Sequence, residues 1–262
     1  MKKTVLITGA AGLIGSLLSS ALNEKYNVRA LTRRPIEDEN AVLGDITDME
    51  SLIEACTGVD SVIHLAANAN PHASWDVVMQ TNIVGTYNVF EAAARTGVKQ
   101  VIYASSNHAV ANWEYEYGTD IYRTGQPVID HLVPPRPDGL YGVSKNFAEA
   151  LGRLYSDNHS MSVICLRIGS VVKESRPAQE VLHNGPEPAG RLTSLWLSHR
   201  DLIQLHEKCL EAPHVKFDIF YGISNNKPHF YDLEHAREVI GYVPEDGADV
   251  VEALFHARPG PH

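Results

Sequence analysis

Tyr141 and Lys145 stand four residues apart in YGVSK, which puts a phenol and an ammonium on one face of a helix starting near Gly139. A phenol with a pKa near ~10 is a poor base at neutral pH. A cation one helical turn away favours the phenolate, lowers that value and makes the tyrosine a usable proton acceptor. YxxxK also occurs by chance on ordinary amphipathic helices. Here Ser105 and Ser106 close the apolar run KQVIYASS, so a hydroxyl at a strand end can hold a substrate oxygen beside Tyr141.

A second group of residues lies at the N-terminus. In TGAAGLIG, Gly9, Gly12 and Gly15 recur every third position directly after Val5-Leu6-Ile7. A strand-to-helix turn that carries a pyrophosphate needs a tight bend, a backbone with no Cβ facing the phosphates, and close helix–strand packing. The three glycines supply these in order. A helix starting near Leu13 then directs its unpaired N–H groups and positive end at the anion. A glycine-rich turn need not bind anything, but this one follows the first strand of a βαβ pattern. With a dinucleotide bound, Lys145 can also hydrogen-bond the nicotinamide ribose.

The elements that must position these residues follow from periodicity. KTVLITG precedes a helix over about 13–25; NVRALTR and AVLGDI follow, then a helix over 48–56 and the run SVIHLAA. A long helix over 74–96 carries Val78, Met79, Ile83, Val89, Phe90 and Ala93 at three- and four-residue steps. KQVIYASS and, after a further helix, MSVICLRIGS complete the alternation. Such alternation means a parallel sheet covered on both faces: an α/β, doubly wound Rossmann-type fold. After Ser170 the pattern loosens. Residues 171–193, rich in Pro and Gly, read as a loop; HRDLIQLHEKCLEA is a helix, KFDIFYGIS a strand, and YDLEHAREVIG a short helix stopped by Gly241. The expected division is a dinucleotide-binding core over 1–170 and a small substrate-binding lobe over 171–262, packed on it as a single structural unit. Asn82, close to the apolar stripe of the long helix, needs partners; it ties the helix to a strand or loop, or acts on the reaction through a water.

With 44% hydrophobic residues the 262-residue chain can build a sizeable core, and no apolar run approaches the ~18 residues of a membrane span. The net charge of −10 argues against nucleic acid, whose phosphates call for a basic surface. Cys56, Cys165 and Cys209 are odd in number and far apart, offering neither a disulfide framework nor a CxxC site; Cys165, inside VICLRI, reads as a buried small hydrophobe. The 13 histidines show no HExxH or similar spacing, so no metal is expected. MKK followed by a short apolar run is no secretory signal, and a cytoplasmic location is expected.

The set TGAAGLIG, GDITD, VIHLAA, TNIVGTYNVFEAA, VIYASS and YGVSK resembles the extended short-chain dehydrogenase/reductases, the group of sugar-nucleotide epimerases and dehydratases, over nearly the whole chain. ASSNHAV, RPDGLYGVSKNFAE, LRIGS and RLTSLWLSHRD are similar, more narrowly, to uronate dehydrogenases and to archaeal NAD-dependent glucose-6-phosphate dehydrogenases. The resemblance implies oxidation of a sugar or uronic acid at its anomeric carbon to a lactone, by hydride transfer to NAD or NADP. It makes Tyr141 the base, Lys145 its tuner and ribose ligand, and Ser106 the holder of the reacting oxygen. It implies that Gly9, Gly12, Leu13, Ile14, Gly15, Asp45, Ile46, Leu65, Ala66, Ala67 and Ile168 contact the cofactor, with Asp45 and Ile46 flanking the adenine. Asn107 and Asn70 would contact the sugar; Ser170 and Arg191 would reach its far end, where a guanidinium suits a carboxylate or phosphate. His108 braces the strand-end turn. A homodimer through the outward faces of the long helix and the Tyr141 helix is also implied.

Two departures stand out. The loop AANANPHASW is slightly longer than that of uronate dehydrogenases; it matches the sugar-phosphate group in length but lacks that group's arginine near Asn70. The second strand ends in LTRRP, with Thr32 where NAD-specific relatives carry an acidic residue for the ribose 2′-hydroxyl. Arg33 and Arg34 follow it, so NADP is the expected preference; otherwise the two arginines cover the sheet edge. A sugar-nucleotide epimerase or dehydratase and a non-catalytic NADP-sensing protein are the alternatives.

Overall fold

The computed structural model describes residues 2–175 and 186–248. Strands β1 (Thr4–Thr8), β2 (Asn27–Thr32), β3 (Ala41–Leu43), β4 (Ser61–His64), β5 (Gln100–Ser106), β6 (Ser162–Ile168) and β7 (Phe217–Gly222) form one sheet in the order β3-β2-β1-β4-β5-β6-β7. Every pairing is parallel, from Ala30 opposite Ala41 at one edge to Leu166 opposite Phe220 at the other. This is the doubly wound sheet that the alternation predicts. The strand order reverses between β1 and β4, which opens a crevice at the carboxyl ends of the strands.

Side chains alternate across each strand, so the sheet separates two apolar layers. Val5 and Ile7 face helices Leu13–Leu22 and His199–Leu210; Leu6 and Val62 face helices Met49–Cys56, Gly85–Thr96 and Leu140–His159. Strands buried on both faces explain the continuous apolar runs of the sequence. Cys165 lies in the second layer, buried as expected. His64 pins the sheet at the crevice: its Nδ1 lies 2.7 Å from Thr8 Oγ1 and its Nε2 3.1 Å from Thr86 Oγ1. Burial holds this imidazole neutral, pulling it down to about 3.

Several elements differ from expectation. The expected boundary at 170 runs through the sheet, because β7 forms its edge and His199–Leu210 packs on Leu13–Leu22. Part of the expected loop 171–193 is helical, over Pro186–Leu195. Its prolines fall in the first turn, where no intrahelical N–H is needed. The long helix is an α-turn Trp75–Val77, a π-helical stretch Val78–Val84 and an α-helix Gly85–Thr96 ended by Gly97 at φ +77°. Two short helices that periodicity did not show, Asn112–Tyr117 and Asp120–Thr124, follow β5. Among the described residues no helix is long and apolar enough to cross a membrane.

Candidate active site

The turn after β1 performs two of the three tasks its glycines suggest through backbone geometry alone. Gly9 sits at φ +72°, and a Cβ there would come within 2.8 Å of the Ala66 amide nitrogen. A Cβ on Gly15 would drive into the Gly9 carbonyl and Ala10, so this glycine sets how closely helix Leu13–Leu22 approaches the turn. Gly12 caps that helix without a side-chain hydrogen bond, which leaves first-turn N–H groups for an anion.

Two adjoining clefts of about 540 and 570 Å³ share Gly9, Gly12, Leu65 and Ala67 and run along the carboxyl ends of the strands. The second cleft is lined by Thr32, Arg33, Arg34, Asp45, Ile46 and Ala66 as well. Leu13, Ile14, Gly15, Lys145 and Ile168 line the first. Every residue assigned to the cofactor thus faces one groove, and its cradle, helix end and paired arginines fit a dinucleotide. Thr32 does not face outward as a ribose ligand: it is buried, and its hydroxyl donates to the Arg34 carbonyl at 2.7 Å. Arg33 and Arg34, both exposed, line the groove beside it.

Ser106, Tyr141 and Lys145 stand together in the first cleft. Lys145 is buried and donates to the Ala104 carbonyl at 2.7 Å; its ammonium lies 5.2 Å from the centre of the Tyr141 ring. Burial pulls this amine down to about 7, with the Glu149 carboxylate opposing. Burial also raises the Tyr141 phenol above its ordinary value, and the Ser106 hydroxyl beside it works in the opposite direction. The expectation that Lys145 lowers the phenol is therefore corrected. In this buried site desolvation of the phenolate outweighs the Ser106 hydrogen bond, and Lys145, itself drawn down by burial, does not reverse the shift. Tyr141 further packs edge-on against His108, ring centres 5.6 Å apart, and His108 Nδ1 lies 2.7 Å from Asp138 Oδ2. His108 thus braces both turn and phenol.

The far wall joins distant segments. Ser170 N–H donates to Leu195 O and Ser170 O accepts from Leu197, which ties the end of β6 to helix Pro186–Leu195. That helix brings Arg191 into the cleft beside Asn107. With the Asn107 amide turned so that its oxygen faces Arg191, the orientation that satisfies both its atoms, Nδ2 donates to Ile168 O at 3.3 Å and Oδ1 accepts from Arg191 Nη2 at 2.8 Å. Asn70 is not brought in. It is exposed, lines neither cleft, and spends its Oδ1 on the His72 amide at 2.9 Å, closing a turn as Asn readily does.

Three features escaped the sequence reading. Glu114, 0% exposed, holds Arg191 through its Oε2, 2.8 Å from Nε. It lies in NWEYEY, where nothing local marks it; only the fold brings it within reach. Glu149 accepts from Ser105 Oγ at 2.6 Å and from Arg167 Nε and Nη2 at 3.0 and 2.9 Å, while Arg167 Nη1 reaches the Tyr221 hydroxyl. This one was detectable, since Tyr141, Lys145 and Glu149 follow at four-residue steps on one helix face. The third is His131, Asp218 and His235, whose donor atoms lie within 4.8 Å of one another. The two imidazoles stack 3.6 Å apart and 5° from parallel, so one ion cannot lie in both ring planes. Asn82 plays the tying role: its Oδ1 accepts from the Asn68 amide at 2.8 Å and its Nδ2 donates to Asn68 O and Ser144 Oγ.

Comparison with known proteins agrees with this geometry. Residues 5–188 match the NAD dependent epimerase/dehydratase family. The chain is 38% identical to the NAD-dependent glucose-6-phosphate dehydrogenase of Haloferax volcanii, covering 99% of this chain and 98% of that protein. It is 36% identical to the L-arabinose 1-dehydrogenase (NAD(P)(+)) of the same organism, over 95% and 99%. The crystal structure of glucuronic acid dehydrogenase from Chromohalobacter salexigens superimposes with a TM-score of 0.82 at 28% identity, covering 100% of this chain and 92% of that one.

Proposed function

The chain belongs to the NAD dependent epimerase/dehydratase family, and we propose that within it the cleft oxidises the anomeric carbon of a sugar to a lactone, with NADP preferred over NAD. It is an NAD(P)-dependent oxidoreductase acting on a sugar-type hydroxyl, as its relatives are. The observation that carries the reading is that one cleft holds Ser106, Tyr141 and Lys145 together with the glycine turn and with Asn107 and Arg191.

When bound, the oxidised nicotinamide supplies the hydride acceptor. Ser106 Oγ holds the C1 oxygen against Tyr141. The phenolate takes the C1 hydroxyl proton while C1–H leaves as hydride, so C1 becomes a carbonyl. Lys145 anchors the ribose side and keeps a donor next to the phenol. Because burial raises the Tyr141 phenol, the fraction of working base grows with pH. The NADP preference is supported by Arg33 and Arg34 at the groove's edge and by the absence of a carboxylate at Thr32. A homodimer belongs to the same reading, supported by apolar side chains on the outward helix faces: Tyr87 at 43%, Val143 at 44% and Leu154 at 53% exposure. So does a cytoplasmic location, which suits three buried, unpaired cysteines.

The reading is tested with a panel of aldoses, uronates and sugar phosphates, following reduced nicotinamide with each cofactor. Turnover abolished by Tyr141→Phe supports a catalytic phenol. Tight cofactor binding with no turnover of any sugar favours a sensor instead.

A further inference from the structure

The one guanidinium that lines the sugar end, among the described residues, already has a carboxylate. Glu114 is wholly buried and cannot turn to solvent. Its Oε2 accepts from Arg191 Nε at 2.8 Å, its Oε1 lies 3.5 Å from Arg191 Nη2, and the hydroxyls of Tyr231 and Tyr122 close around the same two oxygens. The Nε–Nη2 edge is one a guanidinium uses to grip a carboxylate in two-pronged fashion. Here that edge is spent on the protein, and Nη2 also donates to Asn107. Burial works against the Arg191 charge, and Glu114 more than offsets it. Little else can receive an anion. Lys145 stands at the reacting end, hydrogen-bonded to Ala104 O. The loop on the opposite rim has no Lys or Arg, since none occurs from position 35 through 94, and the His108 imidazole that lines the cleft is taken up by Asp138 at 2.7 Å.

Resting on the sugar dehydrogenase reading above, we propose that Glu114 is a specificity-determining residue which neutralises Arg191 and makes this cleft select aldoses with an uncharged far end over uronates and sugar phosphates. An anion brought to that wall gives up its hydration, meets a pair with no net charge, and faces Glu114 across a shared guanidinium. A hydroxyl there gives up much less and needs only one donor or acceptor from Asn107, Ser170 or Arg191. Selection of this kind rests on the repulsive element as much as on the attractive one.

The test compares kcat/KM for D-glucose, D-glucuronate and D-glucose 6-phosphate, which share a ring and an anomeric carbon and differ at the far end. The D-galactose series repeats it for the other C4 configuration. In the wild type the neutral sugar of at least one series should exceed both its anions by about 10-fold or more. Glu114→Gln keeps an acceptor for the tyrosines and releases the Arg191 charge; it should raise the anion-to-neutral ratio by about 10-fold, chiefly through KM. Should that variant not fold, as judged by its melting curve, the wild-type ratios decide alone. Wild-type ratios at or below one in both series overturn the proposal, as does a folded Glu114→Gln enzyme with unchanged ratios; both leave the dehydrogenase reading standing. Failure to oxidise any of the six sugars with either cofactor overturns the two together.

Discussion

The two ends of the cleft are built by different means. The end we assign to the dinucleotide is made of backbone: one turn with Gly9 at φ +72°, a helix start with no side-chain cap, and strand ends in register. The end we assign to the sugar is made of side chains carried by segments far apart in sequence: Asn107 after β5, Glu114 on a short helix, Ser170 after β6 and Arg191 on Pro186–Leu195. A backbone cradle depends on a few consecutive residues and tolerates change elsewhere. A side-chain wall depends on the whole fold and can be retuned one residue at a time. The names of the similar proteins carry different sugars, which such a retunable wall would accommodate.

Substitutions at the Ser106–Tyr141–Lys145 cluster and at each end should separate these contributions. The largest effect belongs to that cluster. Tyr141→Phe removes the proton acceptor but no part of the dinucleotide cradle, so kcat should fall by about 10³-fold while the cofactor Kd stays within about 2-fold, read by steady-state kinetics and fluorescence titration. At the dinucleotide end, Arg33→Ser with Arg34→Ser should weaken NADP binding by about 10- to 100-fold, the worth of one or two charge-assisted hydrogen bonds, and leave NAD affinity nearly unchanged. A matching loss for both cofactors would mean the arginines only cover the sheet edge. Gly9→Ala places a Cβ at a left-handed position and against the Ala66 backbone. Unfolding free energy should drop by about 2 kcal/mol in denaturant titration, with weaker binding of either dinucleotide.

The last effect concerns pH. His64 titrates near its ordinary 6.5 when unfolded and at about 3 when folded. Between these values the unfolded chain binds more protons, so stability contributed by neutral His64 is complete above pH 6.5 and is lost as pH falls toward 3. The slope from this group is at most about 1.4 kcal/mol per pH unit. His64→Asn should flatten the acid limb of a stability–pH profile while lowering its plateau.

Legibility in the sequence follows the same division. Gly9, Gly12 and Gly15, the βα alternation and the Tyr141–Lys145 spacing are short-range patterns tied to backbone period, and the fold places all of them where the pattern requires. Arg191 reaches the cleft as expected, but its partner Glu114 lies 77 positions away with no local mark. Asn70 follows the right strand yet turns its amide to its own loop. The helix Pro186–Leu195 hid behind prolines that read as loop and serve as a helix start. The sign of the Tyr141 shift depends on how far burial penalises a charge, a property of the packed site that residue spacing does not encode.

The most direct measurement uses an aldose deuterated at C1. Incubated with wild-type enzyme and oxidised cofactor, it should give a lactone and reduced nicotinamide carrying the deuterium, at a rate that collapses in Tyr141→Phe. Reduced cofactor without the label, or full turnover by the phenylalanine variant, would contradict the account.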